Sequence, residues 1–361
     1  MKAAVLRQTR TPLVIEDIEI DNPGPREVLI RTAACGACHS DLHFLDGIYP
    51  MTLPFVPGHE AAGVVEKVGD QVRGLKVGDH VITCLSVFCG RCELCLTGRL
   101  SLCISPETKR GKADVPRLRQ VGGGPMTQML QLGAFAEQMV VHENACVAVN
   151  RDMPLDRAAL IGCAVMTGYG AVTHTAQVRP GDTVAVIGCG GIGLSLVQSA
   201  RLAGAARIIA IDRVASKLAL AKDFGATDVV DASADDPVEQ VQALTGAGVQ
   251  FSFEAIGLKA TAEQAWRMLR RGGCATLLGM IPPGVKLELH GPDFLAEKRI
   301  QGSLMGSNHF PVDMPRIVDL YLQGRFKLDE LISQRLPLAQ VNEAFESMRS
   351  GELARSVVVF G

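Results

Sequence analysis

The pattern of apolar and polar positions changes once along the chain. From residue 2 to about residue 149, short β-rich runs are separated by Gly and Pro, as in antiparallel, barrel-like or irregular β structure. Near Leu155, apolar strands begin to alternate with segments of helical length, which is typical of βαβ units and a parallel sheet. The first region is predicted to contain strands at 27–34, 61–68, 80–83 and 137–141. The pattern therefore predicts a β-rich domain followed by an α/β domain.

Six strands and four crossover helices are predicted in the second region. The strands are residues 183–187, 207–211, 228–230, 250–255, 274–279 and 299–304, and the helices are residues 192–203, 215–224, 238–244 and 261–269. A complete doubly wound dinucleotide fold needs this number of strands. Two later helices (315–322 and 340–348) and a strand (356–360) are predicted to return to the first domain. Residues 105–132 show no regular pattern.

Composition excludes several classes of protein. The chain has 361 residues, 47% hydrophobic and 20% charged, as expected for a globular protein of two domains. Its 36 Lys and Arg are balanced by 38 Asp and Glu, whereas nucleic-acid binders normally carry a basic excess. No apolar run approaches the roughly 20 residues that cross a bilayer, and no signal-peptide pattern precedes residue 15. We therefore expect a cytoplasmic protein without nucleic-acid or membrane partners.

A glycine-rich loop follows the first strand of the second region. Its glycines are Gly188, Gly190, Gly191 and Gly193. The G-x-G-x-x-G spacing between a strand and a helix lets backbone N–H groups and the helix N-terminus approach a pyrophosphate. Asp212 ends the next strand, where a carboxylate binds the ribose hydroxyls and repels a 2′-phosphate. This favours NAD over NADP, with Arg213 as a partial offset; FAD or S-adenosylmethionine are the alternatives for the loop alone.

Four cysteines are closely spaced in the first region: Cys89, Cys92, Cys95 and Cys103. Four thiolates can complete a tetrahedral zinc shell, and a shell with no open position is structural. An iron–sulfur cluster also uses four Cys, but no electron-transfer motif accompanies these. We interpret the lobe around residues 89–103 as a structural zinc site.

Three further residues, Cys38, His59 and Cys163, are dispersed along the chain. Each alone has a simple structural explanation, since a small Cys packs well in a core. Together they make a Cys2His shell, the open type of zinc site that leaves a fourth position for substrate. The hypothesis is therefore a second, catalytic zinc.

These motifs, in this order, resemble the zinc-dependent alcohol dehydrogenases of the medium-chain dehydrogenase/reductase superfamily. The resemblance runs from residue 2 to residue 361 and includes the Gly58-His-Glu segment and the Gly162-Cys-Ala-Val-Met-Thr-Gly-Tyr-Gly segment. It implies a GroES-like catalytic domain (1–164 and 305–361) and a six-stranded Rossmann NAD-binding domain (165–304). The implied reaction is NAD-linked oxidation of primary or secondary alcohols to aldehydes or ketones, and the reverse, through a zinc alkoxide and hydride transfer to nicotinamide.

The resemblance also implies roles for individual residues. Ser40 and His43 match a proton relay, Asp41 a carboxylate that orients the His ligand, and Glu60 an acid behind the zinc. Lys217 matches a ribose contact and Arg355 a pyrophosphate contact. Two zinc ions per subunit are expected, one catalytic and one structural.

The chain departs from the family pattern at several positions. His39 replaces the Arg that often contacts the pyrophosphate, so we expect weaker cofactor binding and faster release. Leu85 stands where an aromatic residue is common and, with Tyr49, suggests a reshaped substrate pocket. The stretch 105–132 resembles that of the dimeric members, whose last Rossmann strands pair at their edges, here residues 301–306. A homodimer is predicted, with a homotetramer as the alternative.

Two related activities remain open from sequence. A glutathione-dependent formaldehyde dehydrogenase shares the zinc and NAD apparatus, although Asp46 is the only charge between His43 and Gly58. A nicotinoprotein alcohol dehydrogenase would hold NAD permanently. A polyol dehydrogenase is disfavoured because a carboxylate usually replaces its third Cys ligand, and a sensor without activity would not require the Ser40 and His43 relay.

Overall fold

The computed structural model describes residues 1–111, 113–351 and 355–361. In these residues the strands are β1 (Lys2–Val5), β2 (Val14–Ile20), β3 (Glu27–Gly36), β4 (Phe55–Val56), β5 (Glu60–Val68), β6 (His80–Thr83), β7 (Leu118–Gln120), β8 (Pro125–Gln128), β9 (Gln138–His142), β10 (Cys146–Ala148), β11 (Thr183–Ile187), β12 (Arg207–Asp212), β13 (Asp228–Asp231), β14 (Val249–Glu254), β15 (Leu269–Leu277), β16 (Arg299–Gly302), β17 (Ile332–Pro337) and β18 (Arg355–Val359).

The α-helices of the same residues are α1 (His39–Leu45), α2 (Glu93–Leu96), α3 (Leu155–Leu160), α4 (Met166–Gly170), α5 (Gly191–Leu202), α6 (Ala215–Phe224), α7 (Pro237–Thr245), α8 (Lys259–Arg267), α9 (Phe310–Leu322) and α10 (Val341–Ser350). Two π-helical turns, Ile161–Val165 and Ala171–Ala176, follow α3 and α4. Within the described ranges, no helix is both long enough and apolar enough to cross a membrane.

The chain divides into two compact units, Met1–Cys163 with His309–Gly361, and Ala164–Asn308. The first unit contains two sheets, with strand orders β1-β2-β7-β8-β4 and β10-β6-β5-β3-β18-β17, and β9 also pairs with β3. Most of these pairs are antiparallel, as predicted for the β-rich region, but β17 and β18 are parallel. Its main core is formed by inward-facing side chains such as Ile30, Val65, Met139 and Val358. Their burial in this core fixes the register of the central strands, because a one-residue slip would move them to the other face of the sheet.

The second unit is a six-stranded parallel sheet with the order β13-β12-β11-β14-β15-β16. This order reverses direction between β11 and β14, as in a dinucleotide-binding fold. Apolar strand residues and helix α8 share a core that includes Ile187, Ile209 and Trp266. The predicted fold class is confirmed, and strand 183–187 and helix 215–224 have the predicted bounds.

Three predictions from the sequence were wrong. Strand β15 begins at Leu269 and not at residue 274, so the helix predicted to reach residue 269 ends at Arg267. Residues 105–132 are not without regular structure, because β7 and β8 lie there and pair with each other. Helix α9 begins at Phe310, five residues before the predicted start. Pro311 lies in its first turn, where a helix needs no N–H donor, and Pro315 lies inside the helix.

Candidate active site and metal sites

Cys38 lies in the first unit at the N-terminus of α1. It is the N-cap residue, with extended backbone, and its N–H donates to Asp41 Oδ2 over 3.0 Å. The Asp41 N–H in turn donates to the Cys38 carbonyl over 3.0 Å. These two bonds fix the start of α1 and the backbone of Cys38.

Asp41 also holds His59. Its Oδ1 accepts the Gly58 N–H at 2.9 Å and lies 3.3 Å from His59 Nδ1. Burial lowers the pKa of His59, but the Asp41 carboxylate and the Cys38 sulfur together outweigh that effect and raise it well above its usual value. Because Nδ1 faces Asp41, the other ring nitrogen is left to bind a ligand, and a carboxylate in this place orients metal-binding His residues.

Cys163 joins Cys38 and His59 from the π-helical turn after α3, a helix that packs against β3 and β5. One ligand atom from each of these residues, together with Glu60, lies within 4.8 Å of the others, and all are buried. A hydrogen bond from Cys163 holds the pKa of Cys38 well below its ordinary value, and the same bond raises the pKa of Cys163. Among the described residues, the buried His59 Nε2 has no hydrogen-bond partner. Two neighbouring sulfurs beside such a nitrogen fit a zinc ion.

Glu60 and Arg355 lie together behind these ligands. The Arg355 guanidinium bonds to Glu60 Oε1, and its Nη1 donates to the Ala37 carbonyl at 3.2 Å. Burial raises the pKa of Glu60 to about 7, while Arg355 acts in the opposite direction. Arg355 was predicted to contact the cofactor pyrophosphate. The structure gives it a buried ion pair with Glu60, and its role toward a cofactor stays a prediction.

The other residues predicted near the substrate lie along and after α1. Ser40 Oγ is 3.4 Å from Cys38 Sγ, and His39 is exposed at the first position of the helix. The half-buried His43 ring packs edge-on against Tyr49, with ring centroids 5.9 Å apart. Burial lowers the pKa of His43. Leu85 is partly buried and packs against the main core.

The four-cysteine lobe forms a second donor cluster. Its sulfurs lie within 4.8 Å of one another, including Cys92 to Cys95 at 3.5 Å and Cys92 to Cys103 at 3.8 Å. Backbone N–H groups of Cys89 and Cys92 donate to cluster sulfurs over 3.4 and 3.3 Å. Hydrogen bonds from backbone N–H groups, beginning with that of Arg91, lower the pKa of Cys89 to about 6. Such bonds stabilise thiolates, so this set also fits a zinc ion, with no ligand position left open.

The glycine loop of the second unit joins β11 to α5. Gly190 is the N-cap of α5, and a side chain on Gly193 would overlap the Gly188 carbonyl oxygen. Asp212 accepts the Cys189 N–H at 2.8 Å through Oδ2 and the Arg213 N–H at 2.8 Å through Oδ1. The carboxylate that ends β12 is therefore fixed beside the loop.

Lys217, the predicted ribose contact, lies on α6, partly buried. Burial and the Asp212 charge raise the pKa of the Cys189 thiol in the loop to about 12, and the Lys217 charge acts in the opposite direction. Gly191 is the first residue of α5. These placements leave the predicted cofactor roles as predictions.

Comparison with known proteins identifies the family. Residues 24–151 match the alcohol dehydrogenase GroES-like domain, and residues 191–322 match the zinc-binding dehydrogenase family. The chain is 39% identical to the NDMA-dependent alcohol dehydrogenase of Amycolatopsis methanolica, over 99% of this chain and 98% of that protein. The chain belongs to the zinc-dependent alcohol dehydrogenases of the medium-chain dehydrogenase/reductase superfamily. It is an oxidoreductase that uses zinc and a nicotinamide dinucleotide.

Two further similarities extend over the whole length of this alcohol dehydrogenase. The chain is 37% identical to the "Probable S-(hydroxymethyl)glutathione dehydrogenase 1" of Schizosaccharomyces pombe, over 99% of this chain and 96% of that protein. A crystal structure of an alcohol dehydrogenase zinc-binding domain protein from Burkholderia ambifaria superposes with a TM-score of 0.95 at 36% identity, over 100% of this chain and 98% of the other.

One buried carboxylate at the carboxyl edge of the parallel sheet lies outside every motif of the sequence. Glu254 ends β14 and is fully buried, with three donors on one oxygen. The available signal was its position, because it ends an apolar strand just as Asp212 does.

Proposed function

We propose that this enzyme oxidises primary or secondary alcohols to aldehydes or ketones with NAD and catalyses the reverse reduction. Residues 1–164 and 305–361 would form the catalytic domain and residues 165–304 the NAD-binding domain. The observation that carries the proposal is the buried set of Cys38, His59 and Cys163, oriented by Asp41. A three-residue Cys2His set suits a zinc ion that keeps a position for substrate.

When bound, zinc would polarise the substrate oxygen and bring the pKa of an alcohol toward neutrality. Cys38, His59 and Cys163 would hold the ion, and burial of all three would exclude water from it. Glu60, paired with Arg355, would form the charged layer behind these ligands. Asp41 would keep His59 in the tautomer that leaves Nε2 as the ligand atom.

Ser40 and His43 would carry the alcohol proton away. Ser40 Oγ lies beside Cys38 Sγ, so it is close to where the substrate oxygen would bind. His43 lies three residues further along α1, which places the two on the same side of the helix. Because its pKa is lowered, the His43 ring is neutral at pH 7 and can accept a proton.

NAD would supply the hydride acceptor. Gly188, Gly190, Gly191 and Gly193 would contact its pyrophosphate. Asp212 and Lys217 would bind the adenosine ribose, and His39 and Arg355 would add contacts from the catalytic domain. The preference for NAD over NADP is supported by Asp212, whose carboxylate would repel a 2′-phosphate. Tyr49 and Leu85 would line the substrate pocket.

Two alternative activities are favoured by specific relatives. The resemblance to a protein named for S-(hydroxymethyl)glutathione supports a glutathione-dependent formaldehyde dehydrogenase. Against it, the only charged residue between His43 and Gly58 is Asp46, an anion that is paired with Arg349. The segment therefore contains no cation that could bind the carboxylates of glutathione. The resemblance to an NDMA-dependent enzyme supports a form that retains its NAD.

We further propose a cytoplasmic homodimer. None of the eleven cysteines forms a disulfide bond, as expected in a reducing compartment. Strand β16 is an edge of the parallel sheet and includes Gln301 and Gly302 from the predicted interface 301–306. Pairing this edge with that of a second copy would cover its unpaired backbone groups.

Formation of NADH or NADPH by the zinc-loaded enzyme, together with the consumption of NDMA where it is added, tests the proposal. Primary, secondary, allylic and aromatic alcohols would be supplied with NAD or NADP, and formaldehyde with glutathione, each with and without NDMA. Turnover of a plain alcohol with added NAD is expected, and it should be lost in Cys163→Ala. Turnover only with glutathione and formaldehyde, or only with NDMA, would replace the proposal with the corresponding alternative.

A further inference from the structure

A buried carboxylate lies directly beneath the edge of the sheet where β11 and β14 meet. Glu254 is the last residue of β14 and pairs with Ile187, the last residue of β11. The next N–H along the chain, that of Ala255, donates to the Ile187 carbonyl at 3.0 Å. Glu254 is 0% exposed. The strand order reverses at this pair, and dinucleotides bind at the carboxyl edge of parallel sheets where that happens.

One oxygen of Glu254 organises the loop after β14. Oε1 accepts the N–H groups of Ile256 at 2.9 Å and Gly257 at 2.7 Å, and the Thr261 hydroxyl at 2.8 Å. The other oxygen, Oε2, is buried and has no hydrogen-bond partner among the described residues. All the polar contacts of the side chain are thus concentrated on a single short segment, residues 256–261.

The backbone of Glu254 holds a second loop. Its carbonyl oxygen accepts the N–H groups of Leu278 at 2.9 Å and Gly279 at 3.1 Å, immediately after β15. The loops that follow β14 and β15 are therefore fastened to the same residue, at the same edge of the sheet.

The loop that Glu254 holds reaches the glycine loop. A Cβ on Gly188 would lie only 2.6 Å from Ile256 Cγ1, so the Ile256 side chain packs directly against the first glycine. Ile256 is 44% exposed, and it therefore forms part of the surface beside that glycine. Displacing the Ile256 backbone would move a side chain that borders the pyrophosphate loop.

We propose that Glu254 is a positioning residue for the dinucleotide. It fixes the backbone of Ile256 and Gly257, so that Ile256 forms a wall of the crevice beside Gly188. This inference rests on the proposed use of NAD. The requirement is for an acceptor oxygen at Oε1, because that atom receives all three donors.

Binding of NADH to zinc-loaded protein, followed by fluorescence titration, tests this role together with thermal unfolding. Glu254→Met removes the acceptor at similar size, and Glu254→Gln keeps it. Gln250→Met is the matched control. Gln250 lies at the opposite end of the same strand, where its Oε1 accepts the Thr183 N–H at 2.8 Å and the Thr183 hydroxyl at 2.6 Å.

Glu254→Met is expected to raise the Kd for NADH at least about 10-fold, because three hydrogen bonds that shape the crevice are lost. Glu254→Gln should stay within about 3-fold of wild type, and Gln250→Met should destabilise the fold without changing the Kd. The KM for NAD should follow the Kd while the KM for the alcohol stays constant. If Glu254→Met fails to fold, Thr261→Val, which removes one of the three donors, should raise the Kd about 2- to 5-fold.

Unchanged NADH affinity in folded Glu254→Met would overturn the inference, as would an equal loss in Gln250→Met. If Glu254→Met cannot be folded, unchanged affinity in Thr261→Val would overturn it as well. Wild-type protein that binds no NADH would overturn the proposed function itself. An alcohol dehydrogenase that turns over with NAD but shows no difference between the variants would overturn the role of Glu254 alone.

Discussion

Arg117 donates from Nε to Oε1 of Glu27 over 2.7 Å, and both side chains are buried. Arg110, seven residues earlier, donates to Glu27 as well and also pairs with Asp21 at 2.5 Å. Residues 105–132, which show no regular pattern in the sequence, are therefore attached by two arginines to the first residue of β3. The Glu27 carboxylate therefore attaches this segment to the first unit.

Replacing Glu27 with Gln is expected to lower the free energy of unfolding at pH 7. Burial alone would raise the pKa of Glu27, but Arg110 and Arg117 bring it down to about 2. A depressed pKa stabilises the fold above the unfolded value near 4.5, and the stabilisation is lost as the pH falls toward about 2. The cost of the substitution should be on the order of 3 kcal/mol at pH 7.

Urea unfolding measured at several pH values between 7 and 2 checks this. The difference between wild type and Glu27→Gln should shrink across the acid window. Asp17→Asn, which breaks the exposed pair between Lys2 and Asp17, should leave the urea midpoint unchanged. A pH-independent difference would rule out the ion pairs as its source.

Asp41→Asn is expected to weaken zinc binding at the Cys38, His59 and Cys163 site by roughly 10- to 100-fold. The amide still caps α1 but no longer carries the charge that orients His59. Competition with a chromogenic chelator measures both zinc ions separately, and the four-cysteine site should be unaffected. Asp46→Asn, at the C-cap of the same helix, serves as the control. Equal zinc affinities in wild type and Asp41→Asn would contradict the orienting role.

Cys163→Ala should mainly reduce turnover, whereas Cys103→Ala should mainly reduce stability. Cys163→Ala is expected to reduce turnover by about 1,000-fold or more with little change in Tm, since it removes a ligand from the substrate-facing site. Cys103→Ala should release one zinc and lower the Tm by roughly 10 °C, because metal binding contributes to folding in a closed site. Zinc content, thermal unfolding and initial rates distinguish the two. Retained alcohol oxidation in Cys163→Ala would refute the proposed active site.

Asp212→Asn should shift the preference between NAD and NADP. The amide keeps acceptors for the loop N–H groups but loses the charge that would repel a 2′-phosphate. The ratio of kcat/KM for NAD to that for NADP is expected to fall about 10- to 100-fold, through weaker ribose hydrogen bonds and less repulsion. The KM for the alcohol provides the internal control. An unchanged ratio would place cofactor selection elsewhere in the loop.

Much of the fold was predictable because its periodicities are local. The parallel strands and their crossover helices alternate at regular lengths, so β11 and α6 could be bounded from the sequence alone. Strand β7 was missed because it is only three residues long and is followed by three glycines. The start of α9 differs from the prediction because a proline favours the first turn of a helix, and Pro311 occupies that turn while Pro315 lies inside the helix.

The metal ligands of the candidate site were predictable from the sequence, but their surroundings were not. Ligand types and spacings pointed to Cys38, His59 and Cys163, and the structure brings their donor atoms together. The pairing of Arg355 with Glu60 depends on β18 lying beside β3, a tertiary relationship with no local signature. For the same reason the ion pairs of Glu27 were invisible, since its partners lie more than 80 residues away in the chain.

Strand β18 has a consequence for the order of events on the ribosome. It lies between β3 and β17 in the seven-stranded sheet, and it contributes Arg355, the partner of Glu60. The parallel-sheet unit, residues 164–308, is continuous in sequence and is complete before β18 has been translated. The unit that holds the candidate zinc ligands has to wait for β18, because until then residues 34–36 at the end of β3 lack their second neighbouring strand. The parallel-sheet unit can therefore fold first during synthesis, and the buried surroundings of the metal ligands form last.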